Sequence, residues 1–142
     1  MHRADRPLVA QFAGHDPDLM LQAARLVQAD VDAIDINLGC PQGIAKRGRY
    51  GAFLMEELEL LGHLVRTLAD GLEVPVTCKT RIYPGDFERS VALLETLVDA
   101  GASLITVHGR GREEKGHKVA AADWLMLGRI KAHFAGRVPV VA

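Results

Sequence analysis

The sequence predicts an α/β protein built as part of a TIM (β/α)8 barrel, and three observations carry that reading. Short β-branched runs alternate with longer amphipathic stretches along all 142 residues. Polar side chains recur on one face of the strands and gather near their C-terminal ends. No glycine-rich dinucleotide turn follows the first strand, where Phe12-Ala13-Gly14-His15-Asp16-Pro17 stands instead.

The first strand is read at 7–12, and Asp16 and Pro17 mark the helix that follows. Asp16 is placed to cap free amides, Pro17 suits the first helical position, and Leu19, Ala23, Leu26 and Val27 recur at helical spacing. A second strand at 33–38 ends in Gly39-Cys40-Pro41, and a loop leads to a helix expected from about Gly51 to Leu72. A third strand occupies 74–81. The turn Tyr83-Pro84-Gly85-Asp86 then enters a helix through Ala100, and Gly101 sits where a left-handed stop is expected. Residues 103–108 form the fourth strand, 123–134 the fourth helix, and 138–142 begin a fifth strand.

Strict alternation implies parallel strands, because each crossover needs a dozen or more residues. At period two, Asp35 and Asn37 share a face against Ile34, Ile36 and Leu38. Lys79 and Arg81 likewise oppose Val76, Cys78 and Thr80, and Thr106 and His108 oppose Ile105 and Val107. One polar and one apolar face suit a barrel's inside and outside, whereas an open doubly wound sheet is apolar on both. Gln11, Asn37, Lys79, Arg81 and His108 lie near strand C-termini, where such folds keep their ligand sites. A full barrel takes about 250 residues. The chain is therefore expected to be a fragment of a larger barrel, or else five strands standing as an open sheet.

Composition excludes other classes. With 49% hydrophobic and 25% charged residues the chain is neither disordered nor fibrous. No apolar run reaches the roughly 20 residues of a membrane span, and the first five residues lack the apolar stretch of a signal peptide. A cytoplasmic or nuclear protein with no membrane partner is expected. Cys40 and Cys78 are too few for a disulfide framework and too far apart for a paired zinc motif, so no metal is expected.

The net charge of -1 gives no global attraction to nucleic acid, but it averages over local clusters. Lys46, Arg47 and Arg49 occur between Pro41 and Met55 without an acid. Arg110, Arg112, Lys115 and Lys118 are offset only by Glu113 and Glu114. Both segments leave strand ends on one rim, which predicts a basic rim facing a polyanion.

The segment Asp35-Ile36-Asn37-Leu38-Gly39-Cys40-Pro41-Gln42, its continuation from Ile44 to Leu54, Thr77-Cys78-Lys79-Thr80-Arg81 and Val107-His108-Gly109-Arg110 occur in that order. Together they resemble the tRNA-dihydrouridine synthase family, and the Ala45-Lys46-Arg47-Gly48 to Ala52 stretch looks most like the branch acting on positions 16 and 17. The resemblance implies an FMN-linked oxidoreductase barrel that reduces uridine to 5,6-dihydrouridine in the D-loop of tRNA, with NADPH as reductant. It also implies that residues 1–142 span about strands three to seven of one FMN-binding catalytic domain. The N-terminal strands, the last strands and a C-terminal helical tRNA-binding domain would lie outside it. Gly111 and Gly116-His117-Lys118-Val119 depart from the family's usual pattern after His-Gly-Arg.

Reducing the uracil double bond takes a hydride at one carbon and a proton at its neighbour. By resemblance Cys40 is the proton donor, a role that suits a thiol of ordinary acidity on a strand-to-loop break. Gln11, Lys79 and His108 by resemblance contact FMN: Gln11 offers a donor and an acceptor, Lys79 a cation for the reduced ring, His108 a donor. Asn37 and Arg81 are candidates to read the uracil edge, and Arg110 to hold substrate or phosphate or to form a structural ion pair. Asp35 is expected to support these groups or pack in the barrel, and Cys78 to be a small buried residue under the helices. Two rival readings stand beside this one: another flavin barrel such as a dihydroorotate dehydrogenase, and an inactive half barrel that lacks flavin binding.

Overall fold

The computed structural model describes residues 5–142, apart from the side chain of Lys118. Alternating branched residues build strands β1 (Val9–Phe12), β2 (Ala33–Leu38), β3 (Val76–Arg81), β4 (Leu104–His108) and β5 (Val140–Val141). Every neighbouring pair is parallel and the sheet order is β1-β2-β3-β4-β5. Strand order thus follows chain order, without the reversal that creates the ligand crevice of a doubly wound sheet.

The connecting helices are α1 (Pro17–Arg25), α2 (Gly43–Arg47), α3 (Leu58–Gly71), α4 (Phe87–Asp99) and α5 (Trp124–His133). Helix α1 packs on α3, α3 on α4 and α4 on α5, so these four form one layer. This is an α/β fold with a five-stranded parallel sheet, consistent with part of a TIM barrel.

The apolar strand face meets that layer. Ile34, Ile36, Leu38, Val76, Cys78, Ile105 and Val107 are buried in one core with Leu61, Leu64 and Leu68 of α3 and Leu93, Leu94 and Leu97 of α4. The starts of α1, α4 and α5 are fixed by aspartates. Asp16 accepts from Leu19 N at 3.0 Å, Asp86 from Arg89 N at 3.0 Å and Asp123 from Met126 N at 2.8 Å. Each such cap is worth about 1 kcal/mol. At the end of α4, Gly101 has φ 110°, and its N–H and that of Ala102 turn back onto Val98 and Leu97 carbonyls.

Three expectations are corrected. Of the residues spaced along α1 and just past it, Leu19 and Leu26 are 63% and 85% exposed and Ala23 and Val27 half-buried, while Met20 and Ala24 are buried. Two apolar stripes one residue apart exist on this helix, and packing of Leu21 against the backbone of Gly71 in α3 selects the second. The helix expected from Gly51 to Leu72 is divided into a 3-10 turn at Gly51–Leu54 and α3. The break falls at Glu57, the N-cap of α3, whose φ of -105° and ψ of 62° are not helical. Within the expected loop before it lies the short helix α2. The signal-peptide reading rests partly on residues 1–4, which lie outside the described residues; no described helix is long and apolar enough to cross a membrane.

Helix α4 is tied to the segment before β5 by Glu95, which accepts from Arg137 Nη1 and Nη2 at 2.7 Å each and meets His133 Nε2 at 2.8 Å. The Arg137 hydrogen bonds, followed by that of His133, pull the Glu95 carboxyl down to about 2 from 4.5. A carboxylate lowered on folding stabilises above its unfolded value and loses that contribution as pH falls toward its folded value. Urea midpoints should therefore fall between pH 4.5 and about 2, and Glu95→Gln should flatten that limb. High salt should flatten it too, because the pair is solvent-accessible.

Candidate functional site

Parallel register aligns the inward residues in rows. Gln11 stands opposite Asp35 and Asp35 opposite Thr77; Asn37 stands opposite Lys79 and Lys79 opposite Thr106; Arg81 stands opposite His108. Asp35 is 7% exposed, yet its carboxylate is satisfied by Gln11 Nε2 at 2.7 Å and Thr77 Oγ1 at 2.6 Å. A carboxylate only accepts, so it turns the Gln11 amide nitrogen toward itself and leaves Gln11 Oε1 for Asn37 Nδ2 at 3.0 Å. That in turn aims Asn37 Oδ1 at the N–H groups of Gly39 and Cys40, 3.1 Å from each. The polar row beneath the strand ends thus terminates in the backbone of Cys40.

Above the row, Arg81 donates from Nε to Gly39 O at 2.7 Å and from Nη1 to Gly111 O at 3.0 Å. Ala52 N donates to Cys40 O at 3.0 Å. Cys40 is half-buried with a free thiol, whereas Cys78 is sealed under the helices. Burial, with the Asp35 charge second, pushes the Cys78 thiol far up, so it stays protonated and serves packing.

The C-terminal ends of β3 and β4 are cationic. Lys79 is exposed, and its side chain makes no hydrogen bond or ion pair among the described residues. Arg110 donates to Ala120 O at 2.6 Å and faces His108 Nε2 from Nη1 at 3.1 Å. A guanidinium has no acceptor, so His108 Nε2 must accept and the ring proton sits on Nδ1. Burial, then the charges of Arg81, Lys79 and Arg110, lower the His108 pKa below its ordinary value, in agreement with a neutral ring. Its remaining donor is Nδ1–H.

The structure brings Gln11, Asn37, Cys40, Lys79, Arg81, His108 and Arg110 to one rim, but it spends several of their polar atoms internally. Asn37 uses both ends of its amide and Arg81 two of its nitrogens on the chain itself, so each holds the Cys40 loop before it can meet any ligand. Arg110 makes no ion pair among the described residues; its partners are a carbonyl and an imidazole.

The expected basic rim is reduced likewise. Arg49 pairs with Glu57, Arg112 with Glu113 and, at 4.0 Å, with Glu56, and Lys115 donates to Pro41 O. The Lys118 side chain lies outside the described residues. Lys46 and Arg47 on α2 are the exposed cations of these two segments without a partner among the described residues. Glu113 is adjacent to Arg112 and enters the local charge count, whereas Glu56 and Glu57 lie just past the first segment and Pro41 is 74 residues from Lys115. No group of three or more metal-binding side chains occurs among the described residues. Thr77, Gly51 and Lys115 were missed as supporting residues; only Thr77 carried a signal, its period-two phase with Lys79 and Arg81.

Two measurements follow from this geometry. A Cβ on Gly51 would lie 2.7 Å from Cys40 O and 2.9 Å from Cys40 Cβ, on a backbone at φ 66°. Gly51→Ala should cost roughly 1–3 kcal/mol in chemical denaturation, and should change the rate at which Cys40 is alkylated. An NMR titration of His108 should show a midpoint below 6.5 and the Nδ1–H tautomer in the neutral ring.

A solved structure of phosphonopyruvate hydrolase with oxalate and magnesium superposes with a TM-score of 0.60 at 17% identity, covering 94% of this chain and 46% of that one. That likeness is one of fold alone. The Saccharomyces cerevisiae protein named tRNA-dihydrouridine(16/17) synthase (NAD(P)(+)) is 55% identical over 120 residues, 84% of this chain and 28% of that protein. A Rattus norvegicus protein with the same name followed by "-like" is 52% identical over 120 residues, 84% of this chain and 27% of its own length. The chain spans less than a third of these relatives. The family model described as dihydrouridine synthase (Dus) matches residues 1–142. By that match, and with the Cys40 loop and its polar row in place, the chain belongs to the dihydrouridine synthase family.

Proposed function

We propose that this chain is the central part, about strands three to seven, of an FMN-binding (β/α)8 catalytic domain that reduces uridine to 5,6-dihydrouridine in the D-loop of tRNA, with NADPH as reductant. Positions 16 and 17 are the sites favoured, since both relatives described above carry those positions in their names. The family match leaves no support for the dihydroorotate dehydrogenase alternative. The observation that carries the reading is the Cys40 loop. Asn37 Oδ1 gathers two consecutive N–H groups, Arg81 takes the carbonyl before the cysteine, and a half-buried thiol is left at the rim of the polar face.

The donor set fits a flavin. Lys79 is an unpartnered cation at a strand end, beside a neutral His108 with one free donor, and Gln11 keeps one amide hydrogen and one lone pair beyond its two internal bonds. A bound FMN supplies the hydride. Lys79 would stabilise negative charge at the ring's polar edge, while Gln11 and His108 would fix its orientation. Cys40 would hold a proton at Sγ and give it to the uracil carbon next to the one that receives hydride, so the double bond is saturated with charge balanced. Asn37, Arg81 and Arg110 would meet the extruded base through the donors they have left, and Lys46 and Arg47 on α2 would meet phosphate.

In the flavin-loaded protein, Cys40→Ala should retain bound FMN but form dihydrouridine in tRNA at least about a hundredfold more slowly. Product at the wild-type rate would remove Cys40 from the reaction. A protein that takes up no flavin at all would return the inactive half barrel as the better reading.

A further inference from the structure

We propose that Lys115 is a positioning residue that fixes the Cys40 loop from the β4–α5 side; this rests on the reading of Cys40 as proton donor. The polar accounting of residues 39–41 leads there. This stretch offers five backbone groups, since Pro41 has no N–H. Asn37 Oδ1 takes the N–H of Gly39 and of Cys40, Arg81 Nε takes Gly39 O, and Ala52 N takes Cys40 O. The fifth, Pro41 O, is taken by Lys115 Nζ at 2.7 Å, from 74 residues along the chain.

The two cations act in different places. Arg81 grips the carbonyl before Cys40 and Lys115 the carbonyl after it. Asn37 and Ala52 hold the N–H and carbonyl of Cys40 itself, so Lys115 adds the attachment beyond the cysteine, at Pro41, and limits how the stretch can pivot about the thiol. Both cations lead to the same segment, because Arg81 also holds Gly111 O, four residues before Lys115 in sequence.

The ammonium also lies 5.9 Å from the Phe53 ring centroid, with the Arg112 guanidinium 5.2 Å from the same ring. Phe53 belongs to the turn whose Ala52 N holds Cys40 O. Lys115 therefore binds the loop that carries the thiol and faces a ring of the turn bonded to that loop. This placement is half-buried and inward, unlike that of Lys46 and Arg47, which are exposed on α2.

The test uses Lys115→Met, Lys115→Arg and Cys40→Ala in the flavin-loaded protein, with unmodified tRNA as substrate and iodoacetamide as thiol probe. Cys78 is fully buried and should stay silent to the probe. Lys115→Met should lower kcat about tenfold with KM for tRNA within about twofold and FMN content unchanged. It should change the Cys40 alkylation rate by about threefold or more. Lys115→Arg keeps a donor for Pro41 O and should restore most of both.

Unchanged kcat and alkylation in Lys115→Met would overturn the proposal. So would a raised KM with kcat intact, which would make Lys115 a phosphate contact instead. If Lys115→Met fails to fold or loses flavin, Lys115→Arg decides, and an arginine variant no better than the methionine one overturns it. Wild-type product from Cys40→Ala would sink the proton-donor reading alone, since the alkylation rate still reports whether Lys115 orients the loop.

Discussion

A single buried charge organises the polar side of this protein. Asp35 can only accept, and it is surrounded by groups that are otherwise free to turn either way. Its demand for donors sets the Gln11 amide, which sets the Asn37 amide, which presents one oxygen to two backbone N–H groups at the strand end. At the other end the N–H groups of Gly39 and Cys40 demand an acceptor from Asn37, so both amides are held from two sides and the strand end has one arrangement. A buried polar network is costly when partly satisfied, and here no buried side-chain nitrogen or oxygen among the described residues lacks a partner.

This network is possible because the sheet treats its two faces differently. All crossovers lie on one side, so aliphatic residues from β2, β3 and β4 are sealed beneath α3 and α4. The other face is released from packing and carries Asp35, Asn37, Thr77, Lys79 and Thr106 in register. Cys40 and Cys78 show the contrast: one is held on a loop above the polar face, the other lost in the core two residues before a site lysine's neighbour Thr80.

Much of this could be read from residue order. Strand β2 falls where its alternation places it, and Asp16, Asp86 and Asp123 cap the helices they precede, since caps and alternation are local signals. The segment after Pro41 could not be read so well. Its turn at Gly51–Leu54 answers to the carbonyl of Cys40, not to its own propensity. The buried stripe of α1 depended on where Gly71 of a later helix left room for Leu21. Arg81 illustrates the limit at the site. Its strand phase is visible in the sequence, but that its guanidinium would bind two loop carbonyls depends on Gly39 and Gly111 meeting across the fold.

The guanidinium of Arg81 also makes the two rim loops one mechanical piece. Loops at barrel strand ends are usually the freely exchangeable part of such domains, because each is anchored only to its own strand. Here Gly39 and Gly111 share one side chain as their common post. An exchange of the β4–α5 loop for a relative's would not be a local edit: unless the incoming loop offers a carbonyl where Gly111 stands, the thiol on the loop after β2 inherits the change.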